Sequence, residues 1–334
     1  MVSESAWNDV LHEFRALGGT ADNIRLAEGP FGRGLFPIDP ARPVAIQIPE
    51  TLLVSLDDVL IENGVFRVAS TSSVAAGGRA FLEHYEREFS WGPGQHDIER
   101  FLQAMAELPD SVKTFLKQRL GFGRFFNAIT PEACNKWFFG TRVINKGDQK
   151  VIMPIIEMAN HGGAASYERE TGVGLHGRFA GEVLVRYASA PDPLQMFLEW
   201  TFVPREEIAF SIAMGFVGGR KEFEIRRHLP ADVRKSLVPN VTLQGERYIL
   251  EYLLLGDQRF PRVPKGAFRK AVQGLSPEET DDVYDYIQFA NRQAFLDLLD
   301  AIDGLDLAIV PTLRALAVNQ LRALSQHYGV RQIP

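Results

Sequence analysis

The sequence predicts an α+β fold: a β core of short strands interrupted by a helical insert, followed by an all-α C-terminal domain. Three observations carry this. Short apolar stretches punctuated by Gly and Pro fill the region from Asn23 to about Ser55 and return after residue 150. Helical periodicity runs between them, from about 78 to 120. Capped amphipathic helices occupy the last third.

Taken in order, Trp7, Val10, Leu11, Phe14 and Leu17 follow helical spacing and Gly18-Gly19 ends the run, which sets residues 1–19 apart as an N-terminal helix. Ile24-Arg25-Leu26 and Val44-Ala45-Ile46-Gln47-Ile48 read as strands, with Gly29-Pro30-Phe31-Gly32-Arg33-Gly34 as a turn. Thr130-Pro131-Glu132 reads as a helix start, a capping hydroxyl followed by Pro. Strands are expected again at 151–156, 182–187 and 207–213. Beyond Gly219 the character reads as helical. Ser276-Pro277-Glu278-Glu279 is a capping box opening a helix with Val283, Ile287, Ala290, Ala294 and Leu298 on its apolar side. Pro311 opens another, with Leu313, Leu316, Ala317, Leu321 and Leu324. The expected domains are 20–219, with the helical insert at about 62–125, and 220–334.

Composition narrows the function classes. Of 334 residues 46% are hydrophobic and 23% charged, a globular balance long enough for one large or two modest cores. A net charge of -6 argues against a nucleic-acid partner. One cysteine, Cys134, permits no internal disulfide, and seven histidines at 12, 84, 96, 161, 176, 228 and 327 stand apart, so no metal is expected. The segment Met1 to Ser5 lacks the basic and apolar regions of a secretory signal, and no apolar run would span a bilayer. A cytoplasmic protein without a membrane partner is the expectation.

Common catalytic motifs fail on context. Gly172-Val173-Gly174-Leu175-His176-Gly177 has the GxGxxG spacing, but a polar run precedes it and no helix follows, so a glycine-rich hairpin is expected rather than a dinucleotide loop. No GxSxG or Walker A sequence is present. Cys134 falls in a helix beside Trp137 and Phe138 and reads as a buried small residue.

Four separated segments, in order, resemble the SET domain of the Rubisco large-subunit methyltransferase type. They are Phe31-Gly32-Arg33-Gly34-Leu35-Phe36 with Ile46-Gln47-Ile48-Pro49; Thr141-Arg142-Val143-Ile144; Met153 to Asn160-His161; and Ala180 to Tyr187, followed by Phe197 to Val203. The resemblance covers about residues 20 to 215 and implies a SET-type β core and S-adenosylmethionine as cofactor. It implies Tyr187 as the catalytic tyrosine and Trp200 at the place of the family's second tyrosine. It also implies cofactor contacts by the turn Gly32-Arg33-Gly34, by Arg142, Asn160 and His161, by Tyr187 itself, and by Phe202 against adenine. Without their flanks these residues have plainer readings: a strand tyrosine, a capped turn, a surface arginine, a buried phenylalanine.

The chemistry gives these types a reason. Methyl transfer from a sulfonium is an in-line displacement, so positioning dominates. A free lysine, with a pKa near ~10.4, is mostly protonated at neutral pH. The site must therefore admit the neutral amine, which an apolar channel and a nearby sulfonium favour.

Trp200 for tyrosine, Thr201 for the following glycine and Glu157 for the family aspartate are departures. Trp keeps an N–H donor, loses an acceptor and is bulkier. Three functions remain open: an N-methyltransferase for a protein side chain, most readily lysine; a methyltransferase for a small-molecule or peptide amine; and a SET-like module that binds cofactor or peptide without turnover. The corresponding partners are a protein or peptide substrate, or a small amine. The helical C-terminal region suits substrate docking, and oligomerisation equally.

Overall fold

A computed structural model describes residues 4–127, 130–188, 192–227 and 238–324. His228 and His327 lie outside the described residues. The chain divides into two compact units, Met1–Arg100 with Ile129–Tyr187, and Phe101–Ala128 with Ala188–Pro334.

The first unit is built of small sheets. Its N-terminal helix Glu4–Ala16 buries Trp7, Val10, Leu11 and Phe14, the stripe the spacing predicts. Thr20–Asp22, Val44–Ile48 and Val173–Gly177 form a three-stranded antiparallel sheet. The GxGxxG spacing therefore belongs to a sheet strand. At Gly172 (φ +89°) an added Cβ would lie 1.9 Å from the Ile48 carbonyl oxygen, so the glycine serves close strand packing and opens no helix.

Ile24–Gly29 pairs with Gly32–Pro37 as a hairpin. Val59–Glu62 and Val65–Val68 make a second, whose tip Asn63-Gly64 has positive φ at both residues, as a two-residue hairpin turn requires. This hairpin occupies the start of the segment read as helical insert. The insert's helices follow as Ala76–Phe89, Asp97–Ala106 and Asp110–Leu120. Thr130 caps Pro131–Gly140, its hydroxyl accepting from the Ala133 N–H at 3.2 Å.

In the second unit the expectation of helix from Gly219 onward is corrected. Met214–Gly218, Lys221–Ile225, Arg247–Leu250 and Val241–Gln244 form a four-stranded sheet, in that order. Ile208–Phe210 pairs with Leu254–Asp257. The reason is a period-2 pattern: Phe223 and Ile225 are buried while Glu222 is exposed, and Tyr248 and Leu250 continue the apolar face. The α+β class stands, with helices at the C-terminal end. These are Val263–Ala271, Pro277–Ala301 and Val310–Leu324.

The capping box forms as the sequence predicts: Ser276 Oγ accepts from the Glu279 N–H, and the Glu279 carboxylate accepts from the Ser276 N–H at 2.8 Å. Along this helix Val283, Ile287, Ala294 and Leu298 are buried, whereas Ala290 lies only at the edge of that face. A buried carboxylate, Asp192, ties the unit together. It caps Pro193–Trp200 by accepting from the Gln195 N–H at 2.7 Å, accepts from the Phe210 N–H at 2.9 Å and from Gln320 Nε2 at 3.3 Å, and pairs with Arg227.

Candidate functional site

The site grows from the first unit's parallel pairing of Asn160–Ala165 with Leu184–Val185, which places Asn160 opposite Leu184 and His161 opposite Val185. The chain then delivers Tyr187 to His161. The Tyr187 N–H donates to His161 Nδ1 at 3.2 Å, and the two rings stand 5.2 Å apart at 63°. Because Nδ1 accepts, a neutral His161 carries its proton on Nε2. The Tyr187 hydroxyl donates to the Ala159 carbonyl at 2.8 Å. The side chain keeps part of its surface open, yet burial of the phenol raises its pKa, so Tyr187 is a neutral hydroxyl.

Asn160 reaches the glycine hairpin. Its Nδ2 donates to the Arg33 carbonyl at 3.2 Å and to Glu182 Oε1 at 2.6 Å. Gly34 makes room for both: an added Cβ would lie 2.3 Å from Glu182 Oε1 and 2.8 Å from Asn160 Nδ2. Gly32, at φ +85°, has open space around it and serves the turn alone. The second oxygen of Glu182 is buried with no hydrogen-bond partner. Arg33 turns its guanidinium to the Phe89 carbonyl.

Upstream of Asn160 the backbone is unusual. Ile155, wholly buried, has φ +70° and ψ -58°, and the Ile156 N–H donates to the Pro154 carbonyl at 2.8 Å. That is a γ-turn in its rare positive-φ form, at a β-branched residue. It leads directly into Glu157, whose side chain is 2% exposed and lies 3.9 Å from Arg142 Nε. Arg142 stacks over Phe138, 3.7 Å from the ring centre, and donates to Thr141 Oγ1 at 3.0 Å.

Beside Glu157 is a second buried carboxyl, Glu86, with Tyr85 and Ser90. The hydroxyls of Tyr85 and Ser90, Oε1 of Glu86 and both oxygens of Glu157 have no partner at hydrogen-bond geometry. Tyr85 and Ser90 nevertheless stand near enough to Glu157 to favour its charged form. Burial pushes both carboxyls above the usual range, and the Arg142 guanidinium partly offsets the effect at each.

The sequence-expected residues Gly32, Arg33, Gly34, Arg142, Asn160, His161 and Tyr187 thus all lie in the first unit. Trp200 and Phe202 lie in the second, both half-buried, Trp200 as the last residue of its helix. Thr201, at φ +64°, caps that helix in the left-handed region where the resemblance has glycine. Glu86, Ser90, Tyr85 and Glu182 were not singled out in the sequence. For Glu86 the signal is a charge on the buried stripe of Phe81, Leu82, Tyr85 and Phe89.

Among the described residues no three His, Cys, Asp or Glu side chains gather as a metal site, and no helix is long and apolar enough to cross a membrane. No protein-family model matches the chain, and no curated protein does. Solved structures do resemble it. One is Rubisco LSMT bound to AdoMet, at 12% identity over 96% of this chain and 90% of that one, with a TM-score of 0.45. Another is the SET domain of LSMT bound to lysine and AdoHcy, at 15% identity over 97% and 90%, with a TM-score of 0.41. A third is Rubisco LSMT bound to sinefungin and monomethyllysine, at 13% identity over 96% and 90%, with a TM-score of 0.42.

Proposed function

We propose that the chain is an S-adenosylmethionine-dependent N-methyltransferase acting on a protein side-chain nitrogen, with Tyr187 at the reacting centre. One observation carries the reading. Residues from 33 to 187 converge through Asn160 on the Arg33 carbonyl and through Tyr187 on Ala159 and His161.

The side chains present suit the cofactor. Its sulfonium and ammonium are cations, and Glu182 offers a buried carboxylate oxygen without a partner. Its carboxylate needs a cation, and Arg142 is the partly open guanidinium of the site. S-adenosylmethionine, when bound, supplies an electrophilic methyl carbon. Asn160 holds Glu182 and the hairpin in register for it. Tyr187, kept neutral by burial and oriented by the Ala159 carbonyl and the His161 ring, presents a fixed dipole to the acceptor nitrogen. The acceptor amine loses its proton before transfer, which an apolar entry and a neighbouring cation favour. Lysine is the acceptor that fits this chemistry, and the sequence resemblance puts Trp200 in the place of the second tyrosine.

Calorimetry with S-adenosylmethionine and S-adenosylhomocysteine tests cofactor binding. Label transfer into a cell lysate, compared between the wild type and Trp200→Tyr, tests the acceptor. A labelled protein band supports the reading. A labelled small molecule moves the substrate to a free amine. Binding without any transfer leaves a non-catalytic module, and absence of cofactor binding by folded protein refutes both methyltransferase readings.

A further inference from the structure

Among the described residues, Glu86 and Glu157 are buried carboxyls whose charges act on one another, with the Arg142 guanidinium close to Glu157. Glu86 is 0% exposed and Glu157's side chain 2%. Arg142 is the guanidinium beside them, and Arg33 acts on Glu157 more weakly. Two ionised carboxylates against one close guanidinium would leave an uncompensated charge in the core, where it is strongly disfavoured. The cluster also has an excess of acceptors. Three carboxyl oxygens lack donors, while the hydroxyls of Ser90 and Tyr85 are the nearby side-chain donors. One added proton corrects both imbalances: it neutralises a carboxylate and supplies an O–H donor.

The geometry says which carboxyl takes it. Glu157 faces Arg142 at 3.9 Å and gains by staying charged. Among the described residues Glu86 forms no ion pair. Its Oε2 accepts the Trp91 N–H at 3.2 Å, which leaves Oε1 to carry the proton. We propose that Glu86 is a positioning residue: in the folded chain it is a neutral carboxylic acid, which leaves Glu157 as the ionised counter-ion of Arg142.

The groups facing the pair come from several elements. Tyr85 lies on the helix of Glu86, Ser90 and the Trp91 N–H lie just beyond it, Arg142 follows the helix Pro131–Gly140, and Arg33 belongs to the hairpin. The phenols of Tyr167 and Tyr187 sense the Glu157 charge. The protonation itself does not depend on the methyltransferase reading; its consequence for catalysis, a fixed Arg142 guanidinium, rests on it.

A carboxyl whose folded pKa is raised stabilises the fold fully below its ordinary range, and that contribution is lost as pH rises through the folded value. The test uses the full chain, the Glu86→Gln variant and the Glu86→Ala variant. Gln reproduces a neutral acid, accepting with Oε1 and donating with Nε2.

Infrared spectra in heavy water near pH 7 are expected to show a buried carboxylic-acid C=O stretch in the wild type that is absent from Glu86→Gln. Thermal melts are expected to give Glu86→Gln a Tm equal to or above that of the wild type near pH 7, with a shallower decline as pH rises. Glu86→Ala is expected to melt well below both. Three results would overturn the proposal. They are no acid band in folded wild type, a Glu86→Gln variant as unstable as Glu86→Ala or unfolded, and a wild-type Tm that climbs with potassium or sodium because a cation rather than a proton neutralises the pair. Failure of the cofactor reading would appear instead as absence of heat with S-adenosylmethionine, with the acid band intact.

Discussion

Replacing Gly34 by alanine tests how the site is held. The new Cβ would sit 2.3 Å from Glu182 Oε1 and 2.8 Å from Asn160 Nδ2, both closer than real Cβ contacts allow. The hydrogen bond between those atoms, now 2.6 Å, must open, leaving Asn160 Nδ2 with the Arg33 carbonyl alone. A bond to a charged acceptor contributes about 1.5 to 3 kcal/mol, and its loss leaves a second Glu182 oxygen without a donor. The unliganded protein is therefore expected to lose about that much stability in a urea titration.

If the cofactor needs Asn160 and Glu182 where they stand, calorimetry should show its affinity falling on the order of 10- to 100-fold. Gly32→Ala is the control. It meets no neighbour, but its φ of +85° is unfavourable for a side chain, so a loss of about 1 kcal/mol without disturbance of Asn160 is expected. Equal effects of the two substitutions, or wild-type stability in Gly34→Ala, would refute the packing argument.

Tyr187→Phe should lower kcat far more than cofactor affinity, because an interaction made in the transition state does not show in ground-state binding; Asn160→Ala should do the reverse, and steady-state kinetics with calorimetry separates them. Thr201→Gly should raise stability by about 1 kcal/mol in denaturant titration, since it relieves a left-handed β-branched residue at φ +64°. Asp192→Ala should cost about 3 to 5 kcal/mol, because Arg227, the Gln195 and Phe210 N–H groups and Gln320 Nε2 lose a buried acceptor; a melt near the wild-type Tm would contradict it.

Much of the fold was legible where local chemistry decides it. The Ser276 to Glu279 box and the Trp7 to Phe14 stripe are self-contained signals, and both formed as written. The sheet at 214–250 was missed because its strands are only four or five residues long, too short for period 2 to stand out. Gly245, at φ +62°, was the readable turn between two of them. Asn63-Gly64 was likewise a hairpin signal inside a segment read as helix.

Of the site, Asn160, His161 and Tyr187 carried flanking motifs, and their convergence needs a parallel pairing that no local pattern encodes. Glu86 was the hardest to see. Its partners lie about 55 and 70 residues away, at Arg142 and Glu157, and a glutamate in a helix is ordinary until its face proves buried.

The γ-turn at Ile155 sets a limit on how this molecule can drift. A β-branched residue held at φ +70° stores on the order of 1 to 3 kcal/mol, and the close packing around its buried side chain, with the Ile156 N–H bond to Pro154, keeps the turn wound. The same backbone leads straight into Glu157 and, three residues later, Asn160. Core substitutions that relax this packing would let the turn unwind and would carry both side chains with it. Sequence change in the surrounding apolar core is thereby coupled to the chemistry at the surface of the site, so a relative could not exchange one freely while holding the other constant.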